Sequence, residues 1–414
     1  MEEDRCRAVT DDVKVWNPCV LTNRATGSEH ADKSADSALA RPRSGKGPDV
    51  AGIADNPGMR HVTAIAGRRL WNQHIVRREH QGPGDVVRCL GAVQAQEFEH
   101  AKWGLALRMR EGITNAALER AFADGEMLRT HVMRPTWHFV TPADIGWMLE
   151  LTGPRVLRVM STYLRHLELD PRLLARGTSV IERALRDGQH QTRAELAERL
   201  RRAGVHLEGI RLAMLTMHAE LHGVICSGPR RGRQFTYALI AERAPAAVQL
   251  SRDEALATLT RRYFTSHGPA TARDFAWWSG LTVADAKRGL EMNNAVGKAL
   301  SGRTYWTLGE QPARASRARP VHLLPIYDEY LVAYRDREAV PHLAASRAES
   351  PAFQHALVIR GQVAGKWRLS RTPKRVRVDV FPVRRLAGSD RAALVNVIRR
   401  YEKFLGVPVE LSVG

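Results

Sequence analysis

A chain of 414 residues exceeds one typical core and suits several modules, and its 44% hydrophobic content is enough to pack them. Lys and Arg outnumber Asp and Glu by 63 to 44, and residues 1–58 hold eight basic and ten acidic side chains, so the whole excess, 55 against 34, belongs to residues 59–414. Such a field favours a polyanion such as nucleic acid, although an arginine-rich genome gives the same excess without a ligand, and no apolar run approaches the roughly 18 residues of a membrane helix.

Residues 1–58 show no sustained period, and "GKGPDVAGIADNPG" reads as linker. Met59 is a candidate translation start, and "MEEDRCRAVTDD" lacks the charge pattern of a secretory leader. The four cysteines, Cys6, Cys19, Cys89 and Cys226, are scattered with no C-x-x-C pair. Neither a disulfide framework nor a metal site is indicated, no cofactor is expected, and a cytoplasmic, nucleoid-associated location is.

From Met59 the spacing predicts helices near 61–78, 84–94 and 100–110, another at "TNAALERAFADG", then a strand in "TWHFVT". Asp85 is placed to cap the second helix, whose Val86, Val87, Leu90 and Val93 share a face. In the middle, a helix from Ser179 to Arg186 precedes Thr192, which heads a capping box with Glu195. A longer helix, about Leu207 to His222, stops at Gly223, and "GVICSG" and "QFTYALI" form a hairpin over the basic turn "PRRGR". Three helices and a basic hairpin make the winged-helix plan. The order repeats from Ser251, with helices to Ser266, in "GPATARDFAWWSG" and in "LTVADAKRGLE", and a strand pair around Gly302. From Pro320 short β-rich runs, among them "VHLLPIYDEYLVAYRDR", read as a small antiparallel barrel-like domain closed by the helix "DRAALVNVIRRYEKFLG".

The stretch "LGAVQAQEFEHAKWG" sets Gln94 and Gln96 two apart at the end of an apolar run. On a helix such positions point about 200° apart and share no target. If the helix ends near Gln94 and turns before "HAKWG", the amides converge, so the pair requires a helix–turn–helix corner. Solvent-facing helix ends are the plainer reading.

Several segments, "LGAVQAQEFEHAKWGLALRMR", "LRTHVMRPTWHFVTPADI", "GPATARDFAWWSGL", "LLPIYDEYLVAYRDR" and "VIRGQVAGKWR", resemble the AlkZ/YcaQ-like family of winged-helix DNA glycosylases, in order across residues 60–411. The resemblance implies a mainly α fold with β: three tandem winged-helix units plus a C-terminal β-barrel-like domain around a concave basic DNA channel. It implies that Gln94-Ala95-Gln96 is the catalytic motif, with both glutamines positioning the water that attacks the anomeric carbon of a damaged nucleotide. The partner would be double-stranded DNA containing alkylated bases, the enzyme a monomer without metal or membrane. The expected boundaries are an extension at 1–58, winged-helix units at 59–150, 151–245 and 246–312, and the barrel-like domain at 313–414. Where the family shows glycine after arginine, this chain has Pro135, which puts substrate preference in doubt.

Other residues carry two readings each. Glu97 is a carboxylate base, or Glu97 and Glu99 are both solvated or paired with Arg108 and Arg110. His138 reaches the channel toward phosphate or sugar, or is an inward strand histidine with its hydrogen bond satisfied. Arg230, Arg231 and Arg233, and more weakly Lys366 and Arg368, are expected to contact phosphate. Trp277 and Trp278 are expected in the core, and Asp328 and Glu329 in a turn that buttresses the channel. The rival function is a non-catalytic winged-helix regulator.

Overall fold

Helices of the N-terminal third are laid against strands from the far end of the chain, and this packing sets the place of the glutamine motif. The structure is a computed structural model that describes residues 57–300, 302–309, 321–336, 354–372 and 375–414. The expected extension lies outside the described residues up to position 56.

The first helix, α1 (Pro57–Asn72), is followed by α2 (Pro83–Leu90), the two-residue strand β1 (Val93–Gln94), α3 (Phe98–Ala106) and α4 (Asn115–Asp124). Asp85 lies at the third position of α2, and its carboxylate caps the helix from there by accepting from the N-cap Gly82 N at 3.3 Å. A hairpin, β2 (Leu128–Val132) and β3 (Arg134–Val140), leads into the 22-residue α5 (Ile145–His166), which runs through position 150. Next come α6 (Pro171–Leu185), β4 (Gln191–Thr192), α7 (Arg193–Arg202), α8 (Gly209–Leu221), β5 (Ile225–Arg231) and β6 (Gln234–Leu239). Thr192 and Glu195 cap α7 reciprocally, as their spacing predicts. The short α9 (Ile240–Arg243) precedes α10 (Arg252–Ser266), α11 (Ala272–Ser279), α12 (Val283–Met292) and the hairpin β7 (Gly297–Leu300) and β8 (Arg303–Trp306).

The two larger hairpins do not stand apart. They join in one six-stranded sheet ordered β1-β3-β2-β5-β6-β4, with Arg129 of β2 opposite Ser227 of β5. The remaining elements are β9 (Val321–Leu324), α13 (Glu329–Val332), β10 (Ala356–Ile359), β11 (Gln362–Arg371), β12 (Val376–Pro382), α14 (Gly388–Leu405) and β13 (Val409–Val413). Their sheet is ordered β13-β12-β11-β10-β9 and is open, not the closed barrel expected: β9 and β13 are its two edges. "YDEYLV" is the start of a helix, not a strand, because Asp328 accepts from Tyr330 N at 2.9 Å and caps α13.

Two cores hold the parts together. One joins Leu90, Val93, Phe98 and Trp103 to the second sheet and to Leu394, Ile398 and Phe404 of α14. The other joins β2, β3 and α5 to Tyr263, Phe275 and Trp278 of α10 and α11. Trp278 is fully buried, as expected for the pair, while Trp277 is half-buried with its indole donating to Val332 O. No described helix is long and apolar enough to cross a membrane.

Candidate active site

The glutamines are placed by the strand and bend that follow α2. α2 ends at Leu90, four residues earlier than its apolar face predicts, because Gly91 turns the chain with φ 87°. The positive φ favours glycine, and a Cβ there would sit tightly, 3.2 Å from the Trp278 ring. The chain then runs extended along β3, with Val93 opposite Phe139 and Gln94 opposite His138. Gln94 ends β1, the buried Ala95 continues the pairing with β3 by one hydrogen bond, and Gln96 opens the bend that leads into α3. The expected corner between α2 and α3 is present, spanned by this strand instead of a tight turn.

The ladder to β3 breaks at Ala95 in a specific way. Ala95 N donates to Trp137 O at 2.7 Å, but Ala95 O accepts from Arg129 Nε at 3.0 Å. Trp137 N–H is left to the side chain of Gln96, whose Oε1 accepts it at 3.4 Å. Gln94 Oε1 accepts from Arg134 Nη2 at 2.8 Å. Both partners can only donate, so both amide orientations are determined by chemistry. Gln94 is buried and Gln96 half-buried.

Behind the motif stands Glu329, 1% exposed. Its Oε1 accepts from Gln94 N at 2.8 Å, and its Oε2 accepts from Trp278 Nε1 at 2.9 Å and lies 3.5 Å from His267 Nε2. Burial opposes ionisation of this carboxyl, yet His267, the Gln94 N–H and Arg134 outweigh it and hold the group below the usual range. Asp328 forms a buried pair with Arg108 through two contacts of 2.8 and 2.9 Å. Arg108 therefore does not serve Glu97 or Glu99. Glu99 lies 3.1 Å from Lys102 Nζ and 2.6 Å from Arg230 Nη1, Glu97 is exposed, and Arg110 Nε donates to Glu79 O.

His138 is wholly buried beside Gln94, so a direct contact of its ring with phosphate or sugar is not what the fold provides. Its Nδ1 lies 2.8 Å from Thr136 O, a carbonyl that can only accept, which leaves Nε2 without a proton. Burial first, and the Arg134 cation second, push it down to about 3. Pro135 falls where the β2–β3 register shifts, a bulge at which a missing N–H is tolerated. The turn of this hairpin is pressed by Gly280 at the end of α11, where φ is 72° and a Cβ would lie 2.1 Å from Met133 O.

The expected phosphate ligands divide. Arg230 is turned inward, its side chain 8% exposed and held by Glu99 and Glu119, so it braces the β5–β6 hairpin. Arg231 is half exposed beside Glu195, and Arg233 is exposed at the turn. Lys366 and Arg368 point outward from β11 on either side of buried Trp367. Sequence reasoning missed Arg134, Trp137 and Arg129 as the groups that orient the motif. The segment "MRPTWH" was visible, but its pairing with Gln94 and Gln96 is a tertiary fact.

Comparison with known proteins agrees with this architecture. The chain is 27% identical over 320 residues to an interstrand DNA cross-link repair glycosylase of Streptomyces sahachiroi, covering 73% of this chain and 86% of that protein. The solved structure of Streptomyces sahachiroi DNA glycosylase AlkZ matches with a TM-score of 0.68 at 24% identity, over 85% of this chain and 99% of that one, a likeness of fold. The family model described as DNA glycosylase AlkZ-like matches residues 87–404, and the chain belongs to that family of DNA glycosylases.

Proposed function

We propose that the protein hydrolyses the N-glycosidic bond of cationic alkylated bases, or of bulky adducts and crosslinks, in duplex DNA, leaving a free abasic site. The observation that supports this reading is that Gln94 and Gln96 each have the carbonyl oxygen held by an obligate donor of the same strand, β3. The name of the curated relative, an interstrand DNA cross-link repair glycosylase, brings crosslinked bases into the substrate class.

Each amide oxygen has two lone pairs, one taken by Arg134 or Trp137 N–H. The second accepts a proton of water and turns the water oxygen toward the anomeric carbon. An alkylated purine is cationic and departs neutral, so the sugar becomes oxocarbenium-like without strong acid assistance. Positioning then supplies most of the gain. Neutral amides are poor general bases, which restricts the reaction to good leaving groups and spares intact bases. Lys102 is buried and bridged to Glu99 and Glu119, which supports direct hydrolysis over a lysine Schiff base.

For DNA contact we read α6–α8 with β5–β6, and α10–α12 with β7–β8, as winged-helix units, and the helices before position 150 as a third. Arg231, Arg233, Lys366 and Arg368 would meet phosphate. Three units on one chain suit wrapping a lesion as a monomer, whereas a regulator typically pairs two copies on a palindrome. Release of a methylated or crosslinked base from an oligonucleotide tests the reading. Gln94→Ala and Gln96→Ala should each slow release by about 100-fold. Equal release by the double variant would remove the mechanism, and sequence-specific binding without release would favour the regulator.

A further inference from the structure

We infer that His74, His80 and Cys89 bind one borderline-soft divalent metal ion, zinc being the best match, at the junction of α1 and α2. One ligand atom from each of the three lies within 4.8 Å of the other two. Two imidazoles and a thiol are the donor set that zinc takes, and a fourth position stays open to water or a carboxylate. His74 is 7% exposed, sits at the strained angle φ 59°, and keeps its buried Nδ1 without a hydrogen-bond partner. That nitrogen lies 3.7 Å from Glu79 Oε2, the carboxylate that would support a metal-bound imidazole from outside.

The site already faces a cation. Arg77 Nη2 lies 2.7 Å from His74 Nε2, and the charge of Arg77 also bears on His80 and Cys89. Its side chain is 29% exposed, so the guanidinium can turn to solvent as the metal enters. Loading balances simply: the Cys89 S–H bond breaks, a sulfur–metal bond forms, and one proton leaves to water. Other histidines do not compete. His218 of α8 and His222 just after its end have ring centroids 3.9 Å apart, tilted by 32°, but gather no third ligand among the described residues.

The bound ion would tie Cys89, five residues before Gln94, to the turn after α1. It would therefore act on the support of the motif and not in the reaction.

The test uses the untagged full chain with Cys6→Ser and Cys19→Ser, whose positions lie outside the described residues. Titration with Co²⁺ should give one equivalent with a near-ultraviolet thiolate charge-transfer band, and Zn²⁺ should displace it and raise Tm. Cys89→Ser should abolish the band. His80→Asn should weaken zinc binding by more than about tenfold, the loss that even an outer-shell change brings. Arg77→Ala, lacking the resident cation, should bind more tightly; unchanged binding would overturn the displacement step. A wild-type titration without the band, or a zinc affinity that Cys89→Ser leaves unchanged, overturns the site.

Discussion

Glu329→Gln isolates the support of the motif from the motif itself. The carboxylate receives two N–H groups on separate oxygens, Gln94 N at 2.8 Å and Trp278 Nε1 at 2.9 Å, in a position 1% exposed. Glutamine has the same shape but a single acceptor oxygen. One of the two donors must then face an NH₂ group and go unsatisfied, which costs about 1–3 kcal/mol. The other loses its charge-assisted character, worth about 1 kcal/mol more. A total near 2–4 kcal/mol should appear as a lower urea midpoint with unchanged slope. The relief available to the chain is to let β1 shift, and a motif displaced by about 1 Å should lose about 100-fold in single-turnover base release. Affinity for undamaged DNA should stay the same, since Glu329 touches no surface. Glu329→Gln with wild-type stability and wild-type release would refute the buttress, and equal losses in binding and release would point to general misfolding instead.

Arg108→Ala strips the partner from buried Asp328 and should cost about 3–5 kcal/mol by urea unfolding; a loss under 1 kcal/mol would mean that the pair is not the brace it looks. Arg231→Ala and Arg233→Ala should each lower the slope of log K against log salt by about one, whereas inward-turned Arg230→Ala should lower Tm and leave the slope alone. His138 is held down to about 3 by burial, against about 6.5 in an unfolded chain, so its contribution is full above pH 6.5 and is lost as pH falls toward 3. That loss is about 1.4 kcal/mol per pH unit, and His138→Asn should flatten the stability curve between pH 6.5 and 4 by this amount; an unchanged slope would contradict neutral burial.

How much of this was legible in the residues depends on the range of the interaction. Thr192 with Glu195, and Gly223, announce helix ends because capping is settled within four residues. The short runs after Pro320 announce strands, yet not that the sheet stays open, because closure depends on whether β9 meets β13, some 85 residues apart. The two glutamines stood out from their spacing, but the helical period carried too far and placed the end of α2 at Gln94. Gly91 was the overlooked stop signal. Arg108 shows the same limit: nearby acids at 97 and 99 looked like its partners, while the real one is Asp328, brought close by the packing of α3 against β9 and α13.

The distribution of charge around the motif limits what chemistry such a site can perform. The carboxylate in contact with it, Glu329, is spent on a backbone N–H and an indole, and faces away from solvent. The histidine beside it, His138, keeps an unprotonated Nε2 but is sealed from water. What remains toward the open side is a half-buried amide and an arginine that only donates. On the proposed function, the two amides hold and aim a solvent molecule but are themselves poor proton acceptors. Bond cleavage is then driven, on that same reading, from the leaving side, by a base whose departure relieves a positive charge. Rigidity is the compensating resource: Gln94 is tied to β3 by Arg134, to α13 by Glu329 and through it to α11 by Trp278, so the amide is ordered before substrate arrives.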